Sequence, residues 1–254
     1  MSIPNTRLCE IVFVVSSTPM LDFHAHKSIA KLYRCFDAPI SVLDCGQECA
    51  PYNENGEPFC CDTQHSIPAA YTAEWEYLQI HTNLWHRWQP EDAELGEALR
   101  QQTPDNMLLV ECRGYAYCQR PYRTITCRAF PFFPYINGAG EFLGLSYYWV
   151  YEDRCWVISH LDCISAEYRQ QFIKTFEALL VAYPAEINNF AAYSAEMRQI
   201  FVQRRRAIPL LHRNGNAYKI TPANERMRRC DPADFRQYEP YAIAAQLRFP
   251  DEHI

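Results

Sequence analysis

Glycine is scarce in this sequence: 8 residues in 254, or about 3%, against a typical value of roughly 7%. No G-x-G-x-x-G and no G-x-x-x-x-G-K-[ST] occurs. These absences exclude a dinucleotide-binding turn and a phosphate-cradling P-loop. Long apolar runs are missing too. The first, at residues 11–15, spans five residues. That is shorter than a signal-peptide core of about 7–15 residues and far shorter than a membrane span of about 20. A cytoplasmic protein without a membrane segment is therefore expected. There is no G-x-S-x-G motif and no Ser-His-Asp arrangement, and no His is positioned by the sequence beside a candidate nucleophilic Cys.

What the chain does have is cysteine. Twelve residues are Cys, just under 5%, above cytosolic usage but below the roughly 8–10% of a short disulfide scaffold. Clustered cysteines in a cytosolic chain are more often metal ligands or redox groups than staples. The charge is also uneven. The net charge is −6, yet residues 45–105 carry 11 acidic and 2 basic side chains, while 196–236 carry 10 basic and 4 acidic.

Hydrophobic periodicity predicts helices over 21–33, over about 71–88 (Tyr71, Trp75, Leu78, Thr82 and Trp85 at 4/3 spacing), over 91–101, over 166–182 with Ser165 as cap, and over about 185–206. The turn at 137–140 lies between 130–136 and 142–151 and predicts one hairpin. Asn214-Gly215 between 210–212 and 217–220 predicts a second. Residues 44–66 and 108–135 read as irregular loops, and the tail after Pro222 as loop with short helices. The expected fold class is mostly α with small β-hairpins, α+β. An N-terminal segment would occupy 1–40, a cysteine-cluster domain 41–165 and a helical, basic region 166–254, packed as one unit.

Eight cysteines form a patterned set: Cys45 and Cys49, the adjacent Cys60 and Cys61, then Cys112, Cys118, Cys127 and Cys155. Cys45 and Cys49 share a face if they sit on a helical turn. Tetrahedral zinc takes four sulfurs at about 2.3 Å, and a four-iron cluster takes four thiolates around a larger core. Cys60 and Cys61 would point to opposite sides of an extended segment and so serve two neighbouring sites. Eight thiols allow two four-ligand sites, or one site with four thiols to spare. Arg113, Arg120, Arg123, Arg128 and Arg154 all lie within five residues of a cluster Cys. We take Arg113, Arg120, Arg128 and Arg154 as the charge-compensating set. Cations of this kind offset thiolate charge and favour the ligand form. Cys9, Cys35, Cys163 and Cys230 stand apart and read as packing residues. His24 and His26 are poorly spaced for chelation, and His81 and His86 read as polar edges of a packed, Trp-rich helix face.

The string C-G-Q-E-C over 45–49, then Cys60-Cys61, Cys112, Y-C-Q-R-P over 117–121 and C-R-A-F-P over 127–131 resembles the YkgJ-like cysteine-cluster family, the CxxCxxCC zinc- or iron-chelating domain. The likeness covers about 45–160, with Cys155 in the place of the family's final Cys. The sequence departs from it in having C-x3-C, ten residues before Cys60, and five between Pro121 and Cys127. The resemblance implies an iron–sulfur cluster, [4Fe–4S] by preference, with zinc as the alternative. It implies a structural, electron-transfer or accessory role with an unidentified protein or small-molecule partner. Flagellin lysine N-methylases are similar to that family, so a metal-dependent protein-modifying enzyme is a second implication. A third reading is a partner-binding module acting through the basic third, with Arg204, Arg205, Arg206, Arg226, Arg228 and Arg229. The acidic remainder and the lack of any nucleic-acid-binding signature argue against a nucleic-acid partner.

Overall fold

The computed structural model describes residues 23–242; the run at 11–15, Cys9 and the start of the first predicted helix lie outside the described residues. In chain order the helices are α1 (Phe23–Cys35), α2 (Cys45–Cys49), α3 (Thr72–His81), α4 (Ala93–Gln102), α5 (Ile125–Ala129), α6 (Trp156–Ser159), α7 (Ala166–Ala182) and α8 (Glu186–Gln203). The strands are β1 (Ala69–Tyr71), β2 (Trp85–Arg87), β3 (Met107–Cys112), β4 (Phe132–Ile136), β5 (Phe142–Tyr147), β6 (Ile208–His212), β7 (Ala217–Ile220) and β8 (Met227–Cys230). The fold is mixed α+β, as the patterning predicts.

The long C-terminal helices follow their periodicity. Ser165 Oγ caps α7 by accepting from Tyr168 N at 3.1 Å, and Tyr168, Phe172, Phe176 and Leu179 line its buried stripe. Met197 and Phe201 are fully buried on α8, which packs on β4. Both predicted hairpins form, β4–β5 and β6–β7, and they join one antiparallel sheet of order β4-β5-β6-β7-β8. Gly144 allows the β5–β6 contact, because a Cβ there would lie 2.3 Å from Leu211 O. Gly215, at φ +88°, takes the left-handed position of the β6–β7 turn.

Three local expectations are revised. The helix predicted to reach Trp88 ends at His81, and β2 pairs antiparallel with β3, Trp85 opposite Cys112. The Trp85 indole N–H donates to Tyr122 O at 2.7 Å, so tertiary pairing overrides a helical stripe. The span 108–135 is not one loop, because β3, α5 and the start of β4 fall within it. In the tail, β8 adds a fifth strand beside β7. The small sheet has order β1-β3-β2. It delivers Cys112, the last residue of β3, to the same region as α2 and α5.

The basic region is turned partly inward. Glu152 Oε2 accepts from Arg204 at 3.0 Å and Arg206 at 2.9 Å, and its Oε1 from Arg206 at 2.6 Å and the Tyr147 hydroxyl at 3.0 Å. Arg206 also bonds the Tyr238 hydroxyl. Two of the three consecutive arginines therefore lock the α8 terminus to residue 152. Arg226, Arg228 and Arg229 remain exposed. Among the described residues no helix is long and apolar enough to cross a membrane.

Candidate functional site

The eight patterned cysteines reach one region from six places in the chain. Cys45 and Cys49 sit one turn apart on α2, whose N-cap Asp44 accepts from Gly46 N at 3.1 Å. Cys60 and Cys61 lie in the single 3-10 turn Phe59–Cys61. That helical turn replaces the extended segment expected of them. Cys112 ends β3, and Cys118 follows the turn Tyr115–Tyr117. Cys127 lies on α5, where its N–H donates to the Thr124 hydroxyl at 3.1 Å. Cys155 is the N-cap of α6.

These residues line two adjoining cavities. The larger, of about 550 Å³, is walled by Cys45, Cys49, Cys60, Cys61, Cys127 and Cys155. The smaller, of about 20 Å³, is walled by Cys60, Cys61, Cys112, Cys118 and Cys127. Cys60, Cys61 and Cys127 thus stand in the partition. Each of the eight cysteines thus borders one or both of these cavities, although Cys45 and Cys155 lie 110 positions apart in the sequence. Among the described residues no three His, Cys, Asp or Glu side chains stand close enough to grip a single metal ion.

Burial pushes most of these thiols upward: Cys45 to about 11 and Cys127 to about 12, with Cys49, Cys112 and Cys155 also raised. Cys61 goes the other way, because it accepts the hydrogen bond from Cys60 and faces Arg123. Low polarity around the sulfurs penalises free thiolates, so a cation that replaces the protons relieves that penalty.

The arginines divide by role. Arg120, Arg128 and Arg154 line the larger cavity. Arg113 is exposed and lines neither cavity. Arg128 spends its guanidinium on backbone rather than sulfur, bonding the carbonyls of Tyr33, Phe36, Arg120, Pro121 and Arg123. Arg123, outside the charge-compensating set, is the one that reaches a thiol: its Nε donates to Cys118 Sγ at 3.1 Å, and it lines both cavities. Its place two residues after the R-P pair, midway between Cys118 and Cys127, was the available signal.

Cys163 and Cys230 line neither cavity. Cys35 is disulfide-bonded rather than a packing thiol. His81 stacks on Tyr77, and His86 pairs with Glu111 across β2 and β3 at 3.4 Å.

Behind the site, Glu74 ties three helices. Its Oε1 accepts from the Tyr33 hydroxyl and from Ile125 N, both at 2.7 Å, and its Oε2 from Tyr71 N at 3.2 Å. This fixes α5, and with it Cys127, against α1 and α3. Burial pushes the Glu74 carboxyl up from 4.5 to about 7, against the pull of its three donors. A carboxyl raised in the folded state contributes stability that is whole below a pH of about 4.5 and is lost as pH rises to about 7. Glu74→Gln should remove that slope. Urea midpoints of parent and variant, taken between pH of about 5 and 7.5, should diverge; parallel profiles would show that Glu74 does not titrate there.

Compared with protein-family models, curated proteins and solved structures, the chain matches none.

Proposed function

We propose that the chain is a cysteine-cluster metal-binding protein of the YkgJ-like kind, working in the cytoplasm and holding an iron–sulfur cluster, [4Fe–4S] by preference. The observation that carries this reading is the convergence of all eight patterned cysteines on two adjoining, sulfur-lined cavities. A set of unrelated packing cysteines has no reason to gather on two neighbouring cavities. When bound, such a cluster supplies one-electron redox chemistry or a structural cross-link. The chain's own residues do the rest. The α2 turn and the 60–61 turn present four sulfurs. Cys112, Cys118, Cys127 and Cys155 close the other sides. Asp44 and Thr124 fix the short helices that carry Cys45, Cys49 and Cys127.

The test is anaerobic purification followed by iron, zinc and acid-labile sulfide assays and an absorption spectrum. The expected result is a brown protein with about four iron and four sulfide per cluster. A colourless protein with zinc and no sulfide would overturn the cofactor and leave the ligand set standing.

A second reading, a metal-dependent protein-modifying enzyme similar to flagellin lysine N-methylases, is favoured by the size of the larger cavity. It extends beyond the sulfurs to residues 36–44, and Arg120 and Arg154, which also line it, would supply the cations for a substrate carboxylate. Failure to bind S-adenosylmethionine would count against it.

A further inference from the structure

Arg123 occupies a position that the other arginines do not share. It stands in the wall common to both cavities. Its Nε–H points at Cys118 Sγ, 3.1 Å away, and Cys127 and Cys61 lie within electrostatic reach of its guanidinium. Its backbone is held on both sides: its N–H donates to Arg120 O at 3.2 Å, and its carbonyl accepts from Arg128 Nε at 2.9 Å. Arg128 is anchored in turn to the end of α1, with its guanidinium carbon 4.3 Å from the Tyr33 ring centre. The remaining cations of the wall are spent or remote. Arg128 serves carbonyls, Arg154 leans on Asp153 at 3.6 Å, and Arg120 is exposed, with no bond to a thiol among the described residues.

We propose that Arg123 is a positioning residue that sets the reduction potential of the centre, through its N–H···S bond to Cys118 and its fixed positive charge. This rests on the iron–sulfur reading above. Taking up one electron from an external reductant adds negative charge to a thiolate-bound set and makes or breaks no bond of the chain. A hydrogen bond to a ligand sulfur and a nearby cation both stabilise the reduced form more than the oxidised one, and so raise the potential. Arg123 offers both from one side chain, half-buried and in direct hydrogen-bond contact with the sulfur.

The experiment uses full-length protein purified anaerobically, assayed for iron and sulfide, then titrated with dithionite under spectroscopic control. Arg123→Gln should lower the midpoint by about 59 mV or more, a tenfold change in a one-electron equilibrium. Arg123→Lys keeps the charge but not the fixed planar donor and should fall between. Arg120→Gln removes a cation from the same wall without touching a sulfur, and should shift the midpoint less than half as far as Arg123→Gln. An Arg123→Gln protein that keeps its iron and sulfide and shifts no further than Arg120→Gln overturns the proposal. Where Arg123→Gln fails to hold iron, Arg123→Lys decides, and an unchanged midpoint overturns it. Parent protein without iron and sulfide overturns the cofactor reading first, and this inference with it, so the two failures are told apart by the metal assay.

Discussion

On the proposed metal-binding reading, chelation is expected to open residues 44–52 and 113–123 to protease while the five-stranded sheet and helices α7 and α8 stay intact. The expectation follows from where each segment gets its order. The α2 turn and the 3-10 turn after it have few internal bonds, and residues 113–123 are two short turns with half-exposed side chains. Structural zinc in small domains supplies roughly 10–16 kcal/mol of apparent binding energy, and a contribution of that order decides whether such segments are ordered. Residues 53–65 should resist longer than a featureless loop would. The Asp62 carboxylate gathers Asn53, Asn55 and Gln64 N at 3.1, 2.8 and 2.9 Å, and the Tyr151 hydroxyl pins His65 O at 2.9 Å. Beyond 123, the buried Ile125 and Ala129 and then β4 belong to the core. Limited proteolysis with mass mapping, before and after chelation, checks this. Unchanged cutting across 44–52 and 113–123 would mean that metal does not hold them.

Arg128→Leu is expected to destabilise the protein by about 3–5 kcal/mol, because it leaves several carbonyls without their donor. The last carbonyls of α1 have no intrahelical donors, and the Arg128 guanidinium supplies them from α5: Tyr33 O at 3.2 Å, and Phe36 O. The opposite side of the same fork holds Pro121 O at 2.7 Å, and Asp37 balances the charge at 3.3 Å. Leucine fills much of the volume but leaves these carbonyls unpaired, each at about 1–3 kcal/mol when buried. Lysine keeps the charge but has no planar fork to span two sets of carbonyls, so Arg128→Lys should lose at least about 2 kcal/mol. Arg120→Leu, on the exposed side of the same loop, should stay within about 0.5 kcal/mol. Urea unfolding of the three variants separates these outcomes. An Arg128→Leu protein as stable as its parent would show that the carbonyls find water instead.

Much of the architecture is local enough to be legible. Ser165 before a stripe of aromatics, and Asn214-Gly215 between apolar runs, state a helix and a hairpin within about ten residues of chain, because capping and turn chemistry act at that range. The stripe from Tyr71 to Trp85 misleads for the opposite reason. A period of 3.6 is compatible with a helix, but β3, more than twenty residues downstream, competes for Trp85 and takes it. The tail strand β8 has no signature in the sequence, because Arg228 and Arg229 on an exposed edge carry no hydrophobic alternation.

The same division runs through the site. The sequence by itself singled out eight cysteines as candidates, since their pattern and flanking arginines are a property of the string. It also determined the fold class. Only the tertiary structure decided that Cys60 and Cys61 share one helical turn, that three thiols stand in a partition between two cavities, and that Arg128 serves carbonyls while Arg123 serves a sulfur. The physical reason is reach. A guanidinium extends several ångströms from its backbone and bonds whatever the fold places there, so neighbouring arginines in one motif end with different partners. Spacing along the chain identifies candidate ligands; the packing of α1, α3 and α5 around Glu74 and Arg128 sets where they point.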